Sequence, residues 1–182
     1  MPATTQHEFI QMHISDVRRR RESAQDHIVL LRESDGPRRL PVWTGRDEAV
    51  HLALRFLGAR LERPLTHDLA ARLVHALGAS LREVRIDRLT DKTYYAVIVL
   101  DGPAGPAEVD ARPSDALTLA LITGAPIRVD RQVVEAIEAS GFVARSLAAM
   151  GSEAEAGPRA ILEQRFSSGE PQDPGSPAPS RP

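Results

Sequence analysis

One segment of the chain is apolar on almost every side. Pro113 stands where a helix takes its first residue, Ala116–Ile122 follows with Thr118 as its one polar residue, and Gly124 ends the segment. A helix without a polar face has nothing to turn toward water, so it has to be buried on most of its sides. We therefore expect this helix in the interior of the domain, with other elements packed around it.

The beginning of the chain has the pattern of three strands joined by short links. Apolar and polar residues alternate in Phe9–Val17, which is typical of a half-buried strand. Ile28–Leu31 is a continuous apolar run, as in a strand covered on both faces, and the turn residues 34–37 lead to a third strand over Arg39–Trp43. Together the three segments predict an antiparallel meander.

Helices and strands then follow without a strict alternation. Apolar residues at helical spacing predict a helix over Ala49–Leu57 and a second helix that starts at Thr66 as its N-cap. Strands are predicted at residues 84–86, 94–100, 108–111 and 126–129, with a closing helix at residues 133–137. The buried face of the second helix is expected to consist of Leu69, Leu73, Val74 and Leu77. This order predicts a single-domain α+β fold in which helices pack on a mixed sheet.

The composition changes near residue 150. Residues 151–182 hold six of the 14 prolines and four of the 12 glycines, but few large apolar side chains. Such a segment buries too little apolar surface to offset the entropy of ordering it. We expect a folded domain at residues 1–149, with its core at 9–140, and a disordered Pro/Gly/Ser-rich tail at 150–182. Within that tail, Arg159–Phe166 can form a helical turn on a protein partner.

Charge and residue usage exclude several classes of protein. The chain has 23 basic and 25 acidic residues, so binding that depends on bulk positive charge is excluded. The absence of cysteine excludes a disulfide scaffold, a thiolate zinc site and a cysteine nucleophile. No apolar run reaches the ~20 residues of a membrane helix, and no signal peptide is apparent, so a cytoplasmic protein without a membrane partner is expected. The seven aromatic residues are too few and too scattered for a base-stacking platform, and most are expected in the core.

Two polar clusters stand where helices are predicted to begin. In the first, Thr66, His67 and Asp68 are adjacent. A capping residue followed by a carboxylate that complements the helix dipole explains this cluster fully. A histidine that titrates near neutral pH beside a carboxylate can also act as a general acid or base. The sequence leaves both interpretations open.

The second cluster joins a predicted strand to the central helix. A strand delivers Asp110, Arg112 offers a guanidinium fork for a phosphate, and Asp115 adds a second carboxylate in the first helical turn. Two carboxylates near one loop can hold a magnesium ion, while the arginine steadies a phosphodiester. Alternatively, Asp115 is a favourable first-turn residue and Arg112 is its ion-pair partner.

Four segments together resemble the bifunctional nuclease domain family of bacteria and plants. They read LPVWTGRDEA at Leu40–Ala49, RPLTHDL at Arg63–Leu69, DRLTDKTYYA at Asp87–Ala96 and VDARPSDALTLAL at Val109–Leu121. The resemblance covers roughly residues 9–140. It implies a compact α+β domain and a nuclease that acts on RNA and DNA, as plant members do. One departure is the turn 91–93, which reads Asp-Lys-Thr where the family has Asp-Gly-Thr, and which loses a residue suited to positive φ.

The resemblance and the two clusters give a first hypothesis, a phosphodiesterase of low sequence specificity with RNA or DNA as its substrate. Asp110 and Asp115, with Glu48 or Asp68, would hold Mg²⁺ or Mn²⁺ that activates water. Arg112 would neutralise charge on the scissile phosphate, and His67 would protonate the leaving oxygen. The catalytic candidates are therefore His67, Asp68, Asp110, Arg112 and Asp115, and the metal candidates are Asp110, Asp115 and Glu48.

Two other classes of function remain open. In a non-catalytic binding or assembly module of the same fold, the polar clusters would be caps and ion pairs, and the tail would recruit a protein partner. In a small-ligand sensor, the helix start at Pro113 would bind an anion. A homo-oligomer is expected in each case, because short exposed strands such as residues 126–129 favour pairing with another chain.

Overall fold

The computed structural model describes residues 8–20, 27–91, 93–150 and 157–167. These residues form seven strands and six helices. The strands are β1 (Phe9–Arg19), β2 (His27–Glu33), β3 (Arg39–Thr44), β4 (Ser80–Thr90), β5 (Thr93–Gly102), β6 (Gly105–Ala111) and β7 (Ile127–Asp130). The helices are α1 (Arg46–Phe56), α2 (Thr66–Ala76), α3 (Pro113–Thr123), α4 (Arg131–Ala139), α5 (Phe142–Ala149) and α6 (Pro158–Ser167). No helix in the described ranges is long and apolar enough to cross a membrane.

The strands form one mixed sheet in the order β3-β2-β1-β7-β4-β5-β6. The pair β4–β7 is parallel, and the other five pairs are antiparallel. The predicted α+β class and the meander of the first three strands are thus confirmed. Ile127 of β7 pairs with Met12 on one side and with Val84 on the other, so β7 joins the two halves of the sheet.

Helix α3 lies in the interior, as its composition predicted. Ala116 and Leu117 are fully buried, and Gly124 ends the helix in the left-handed conformation at φ 76°. The helix packs against α1, α2, β4 and β5. Its burial therefore fixes where its first turn stands relative to the sheet and to α1.

Helix α2 differs from the prediction in its cap and in its buried face. Its N-cap is Leu65, whose backbone N–H donates to the Asp68 carboxylate at 2.8 Å, and Thr66 is the first helical residue. The predicted face is wrong, because the exposed fractions of Leu69, Leu73 and Leu77 are 51%, 54% and 76%. The side of α2 that packs against the core carries Ala70 and Ala71 instead, together with Leu65 before them. Small side chains let this helix lie close to α3 and β4, and the leucine stripe is turned outward.

Part of the expected tail is a docked helix. Ile161 of α6 is 4% exposed and belongs to the main core, and Leu162 packs against that core. The helix lies against α1 and β1, and the Arg19 Nη1 donates to Gln164 Oε1 at 2.8 Å. The composition of the whole tail did not show this because two adjacent apolar residues are enough once a packing surface exists. Residues 151–156 and 168–182 of the expected tail lie outside the described residues.

The turn between β4 and β5 is the predicted hairpin turn. Thr90 pairs with Thr93, and Asp91 takes a left-handed backbone at φ 49°. Aspartate tolerates that conformation better than most residues. Lys92 lies outside the described residues.

Tyr94 ties β5 to the far edge of the sheet. Its hydroxyl donates to the backbone oxygen of Pro41 in β3 at 3.0 Å. Burial of the ring and hydroxyl raises the pKa of Tyr94 well above the ordinary value of 10.0. The side chain therefore stays neutral in the folded protein at pH values where an exposed tyrosine ionises.

The docking of α6 predicts unequal effects of two truncations in that helix. Ile161→Ala should lower the free energy of unfolding by about 2–5 kcal/mol, because it leaves a cavity against α1. Phe166→Ala, at a side chain that is 64% exposed, should change it by less than about 0.5 kcal/mol. Urea unfolding of the full-length chain measures both. Equal, small effects would show that α6 is not docked in solution.

The neutral Tyr94 predicts how stability changes at alkaline pH. Tyr94→Phe loses one hydrogen bond and should cost about 1 kcal/mol at neutral pH. Above pH 10 the unfolded chain ionises this tyrosine while the folded chain does not, so the wild type loses stability that the variant keeps. Thermal unfolding between pH 7 and 11.5 should show the difference shrinking as the pH rises. A difference that is constant with pH would contradict the raised pKa.

Candidate active site

The site lies where β3 leads into α1 and β6 leads into α3. Gly45 and Arg112 are the N-cap residues of these two helices, and both have an extended backbone. Because α1 and α3 pack against each other, their first turns are neighbours. This brings Glu48 of α1 to Arg112 and Asp115, although 64 residues separate Glu48 from Arg112.

Arg112 is held between two carboxylates. Its Nε lies 2.7 Å from Asp115 Oδ2, its Nη2 donates to Asp115 Oδ1 at 3.1 Å, and its Nη1 donates to Glu48 Oε1 at 2.8 Å. The side chain is nevertheless 64% exposed. The hydrogen bonds with Asp115, and then those with Glu48, raise the pKa of Arg112 further above its usual range. The result is a permanently charged guanidinium in a fixed orientation with part of its edge open to solvent.

His67 of α2 completes this group from behind. Its Nε2 lies 3.0 Å from Asp115 Oδ1, and its side chain is 16% exposed. The His51 ring stands edge-on to the His67 ring, with centroids 5.6 Å apart. Burial disfavours ionisation of Asp115, but the hydrogen bonds from Arg112 and His67 outweigh this and keep the pKa of Asp115 below its usual value. We call Glu48, His67, Arg112 and Asp115 the Arg112 cluster.

Burial also affects His51, the second histidine of the pair. Burial of its ring lowers the pKa of His51, and the neighbouring His67 lowers it further. His51 is therefore neutral at physiological pH and packs as an aromatic ring.

A cavity of about 990 Å³ opens in front of Arg112. Four of the seven aromatic residues line it, namely Trp43, Tyr94, Tyr95 and Phe142. Trp43 is 38% exposed, and its ring centroid is 5.9 Å from that of Phe142. These four residues, which are scattered in the sequence, meet here because the end of β3, the start of β5 and the start of α5 converge. Glu48, Asp110, Arg112 and Arg145 supply the charges of the lining.

The predicted catalytic residues occupy three different places. Asp110 and Arg112 line the cavity, whereas Asp115 and His67 stand behind Arg112 and outside the lining. Asp68 is elsewhere, because it accepts the N–H of Leu65 and pairs with Arg55. The structure thus brings His67, Arg112 and Asp115 together, places Asp110 on the same cavity and leaves Asp68 out.

The three predicted metal ligands do not form an oxygen cage. Glu48 and Asp115 both bind the Arg112 guanidinium, whose positive charge opposes a cation at the same oxygens. Throughout the described ranges, no group of three or more His, Asp or Glu side chains is placed to hold a metal ion. As they stand, Glu48, Asp110 and Asp115 do not fit a divalent metal.

Sequence reasoning missed the aromatic part of the cavity. Trp43 lies in one of the four segments that carry the family resemblance, and Tyr94 and Tyr95 lie in another. Their position in these segments could have identified these three residues as candidates for the site. Nothing in the sequence pointed to Phe142 or Arg145, which reach the cavity only through the packing of α5.

The family model of the bifunctional nuclease domain matches residues 29–141, more than half of the chain. An uncharacterized protein of Mycobacterium tuberculosis is 47% identical over 107 residues, which are 59% of this chain and 63% of that protein. Bifunctional nuclease 1 of Oryza sativa subsp. japonica is 28% identical over 121 residues, 64% of this chain and 37% of the rice protein. Bifunctional nuclease 1 of Arabidopsis thaliana is 27% identical over 107 residues, 57% of this chain and 33% of its own length.

The chain therefore spans less than two thirds of the length of these curated relatives. The matched residues include the β3–α1 and β6–α3 junctions and every member of the Arg112 cluster. The chain belongs to the bifunctional nuclease domain family.

Proposed function

We propose that the chain hydrolyses phosphodiester bonds of RNA or single-stranded DNA with little sequence specificity, and that the cavity in front of Arg112 is its active site. The observation that carries this proposal is the Arg112 guanidinium, which two carboxylates hold in a fixed and partly exposed position at an aromatic cavity. The plant relatives, named as bifunctional nucleases, support the same class of reaction.

Arg112 is suited to bind the scissile phosphate. Its charge is permanent and its orientation is set before substrate arrives, so little reorganisation is needed when negative charge grows on the phosphoryl oxygens. Arg145 lines the same cavity and supplies a second positive charge. No base-reading motif accompanies these contacts, which fits a phosphodiesterase that recognises the backbone.

The aromatic lining is suited to unpaired bases. Trp43, Tyr94, Tyr95 and Phe142 line the cavity, and a base that stacks on an aromatic ring gains about 1–3 kcal/mol. The guanidiniums of Arg20 and Arg88 already lie over the Trp43 and Tyr95 rings, so only part of this aromatic surface is open to a base. Bases inside a duplex are already stacked and paired, and extruding one costs a few kcal/mol. The cavity therefore favours single-stranded substrates over double-stranded ones.

In this proposal Asp110 acts as the general base. It is exposed, it lines the cavity, and its carboxylate forms no hydrogen bond or ion pair with another residue in the described part of the chain. In the proposed step a water oxygen bonds to phosphorus while Asp110 accepts the water proton. The bond from phosphorus to the leaving oxygen breaks, that oxygen takes a proton from solvent water, and Asp110 returns the proton that it accepted to the solvent. The products are a phosphomonoester and a free hydroxyl.

Two substitutions test this assignment in the full-length protein. Arg112→Ala should lower kcat/KM by about 100-fold or more, as expected for loss of a group that stabilises transition-state charge. Asp110→Asn should lower kcat by about 100-fold or more while leaving KM within about threefold. Initial rates on labelled RNA, single-stranded DNA and duplex DNA measure both effects. Single strands should be cleaved at least about tenfold faster than the duplex.

A surface carboxylate provides the matched control. Asp101 is exposed on β5, where it pairs only loosely with Arg82 at 3.8 Å. Asp101→Asn changes charge as Asp110→Asn does, but it should leave cleavage within about twofold of wild type. Cleavage that survives in both Asp110→Asn and Arg112→Ala would show that the activity arises at another site or from a contaminant.

The same assay tests whether cleavage depends on the Mg²⁺ or Mn²⁺ predicted from the sequence. A divalent ion at Glu48 and Asp115 would have to displace Arg112, so we expect cleavage in EDTA to stay within about threefold of cleavage in magnesium. Abolition by EDTA and recovery with Mg²⁺ or Mn²⁺ would contradict this. It would mean that the three carboxylates rearrange around a metal ion.

One observation favours the second candidate, a binding module without catalysis. Glu48 and Asp115 both bind the Arg112 guanidinium, which leaves Asp110 as the one carboxylate of the cavity lining that no described residue engages. A module of this kind would bind single-stranded nucleic acid through the same cavity. Binding of a labelled oligonucleotide that is weakened in Arg112→Ala, without cleavage by the folded wild type, would identify it.

A further inference from the structure

His67 stands in the wrong place to reach a substrate in the cavity. Its side chain is largely buried and is absent from the cavity lining, whereas Arg112 lies in the lining. The contact that His67 makes with the Arg112 cluster is through Nε2, which is 3.0 Å from Asp115 Oδ1. Any effect of His67 on a substrate therefore passes through Asp115.

The direction of the His67–Asp115 hydrogen bond follows from the surrounding contacts. Both oxygens of Asp115 accept hydrogen bonds from Arg112, so the carboxylate is ionised and has no proton to donate. His67 Nε2 must therefore carry the hydrogen. Nδ1 of His67 is buried and has no hydrogen-bond partner in the described part of the chain. A hydrogen on Nδ1 would be a buried, unpaired donor, so of the two neutral tautomers the Nε2–H form is the one that fits these contacts.

The ring of His67 is fixed as well as its proton. His51 packs against it edge to face, with an interplanar angle of 73°. Asp115 Oδ1 receives both the His67 Nε2–H and the Arg112 Nη2–H, so the position of this oxygen couples the histidine to the guanidinium.

We propose that His67 is a positioning residue, whose Nε2–H holds Asp115 and, through Asp115, sets the orientation in which Arg112 meets the phosphate. This inference rests on the proposed phosphodiester hydrolysis. It replaces the role suggested by the sequence, in which His67 protonates the leaving oxygen. The Nε2–H of His67 points to Asp115, and His67 is not part of the cavity lining, so this hydrogen does not face the substrate.

Two substrates that differ in their leaving group separate these roles. Departure of a ribose oxygen from RNA benefits from a general acid, whereas departure of p-nitrophenolate from a p-nitrophenyl ester of a nucleotide needs no proton. His67→Ala should lower kcat/KM by about 10- to 100-fold, and by the same factor on both substrates, because a misplaced Arg112 affects both. A loss on RNA that disappears on the p-nitrophenyl ester would overturn the proposal.

A conservative variant supplies the second readout. The amide nitrogen of glutamine reaches about as far as the Nε2 of histidine, so His67→Gln should keep the hydrogen bond to Asp115 and stay within about threefold of wild type. His67→Asn, which is too short to reach Asp115, should behave like His67→Ala. Circular dichroism and thermal unfolding show which variants fold. If His67→Ala does not fold, the comparison of His67→Gln with His67→Asn still tests the proposal. A glutamine variant as impaired as the asparagine variant would overturn the proposal.

A measurement without activity separates this inference from the proposed function. Nitrogen-15 NMR of the wild-type imidazoles at neutral pH should show His67 with its hydrogen on Nε2 and a bare Nδ1. Asp115→Asn should shift that Nε2 signal by changing the hydrogen-bond acceptor, while the signals of His75 stay in place. If the wild type cleaves neither substrate, the proposed hydrolysis fails while the NMR result still decides the geometry. A His67 with its hydrogen on Nδ1 would overturn the inference even in an active enzyme.

Discussion

The candidate site depends on the burial of α3. This helix has no polar side to expose, so it is held on several sides by α1, α2 and the sheet, and its first turn has little freedom. Arg112 and Asp115 stand on either side of the first residues of α3, and Glu48 stands in the first turn of the helix packed against it. A nonspecific apolar contact thus places the carboxylates of Glu48 and Asp115 within hydrogen-bond distance of the Arg112 guanidinium.

The charge balance of the cavity distinguishes it from a typical nucleic-acid groove. Its lining carries two carboxylates, Glu48 and Asp110, and two guanidiniums, Arg112 and Arg145. With no net positive charge in the lining, binding cannot depend on releasing many counterions, so affinity for a polynucleotide should vary only weakly with salt concentration. If the proposed function holds, stacking on the aromatic rings would have to supply much of the binding free energy. Arg112 would then contribute orientation and transition-state stabilisation more than bulk attraction.

Sequence patterns predicted the parts of the fold that depend on local periodicity. The meander, the interior helix and the hairpin at Asp91 were predicted because alternation, lack of a polar face and turn residues act over a few positions. The face of α2 was predicted wrongly, because Leu69 and Leu73 mark an apolar stripe, whereas the packing uses the smaller face beside it. Periodicity shows that a helix has an apolar face, but it does not show which face another element packs against.

The site was predicted in its residue types but not in its arrangement. Arg112 and Asp115 are three residues apart, so their pairing was foreseen as an alternative. His67 and Asp115 are 48 residues apart, and no local pattern could place them in contact or show that the histidine lies behind the carboxylate. The aromatic residues of the cavity are also far apart in the sequence, so no local pattern could show that they meet. The packing of α1 on α3, and of α5 beside the cavity, decides these positions.

The position of β7 has a consequence for how the chain is made. This strand of four residues is the only connection between the β1–β3 half and the β4–β6 half of the sheet formed by the described residues. During synthesis, β1 and β4 leave the ribosome long before residues 127–130, and until then each is an open edge beside apolar residues such as Met12 and Val84. The nascent chain thus forms two incomplete sheets, which are joined late by one short strand that pairs antiparallel with β1 and parallel with β4. That interval is when strand exchange with another nascent copy competes with correct folding.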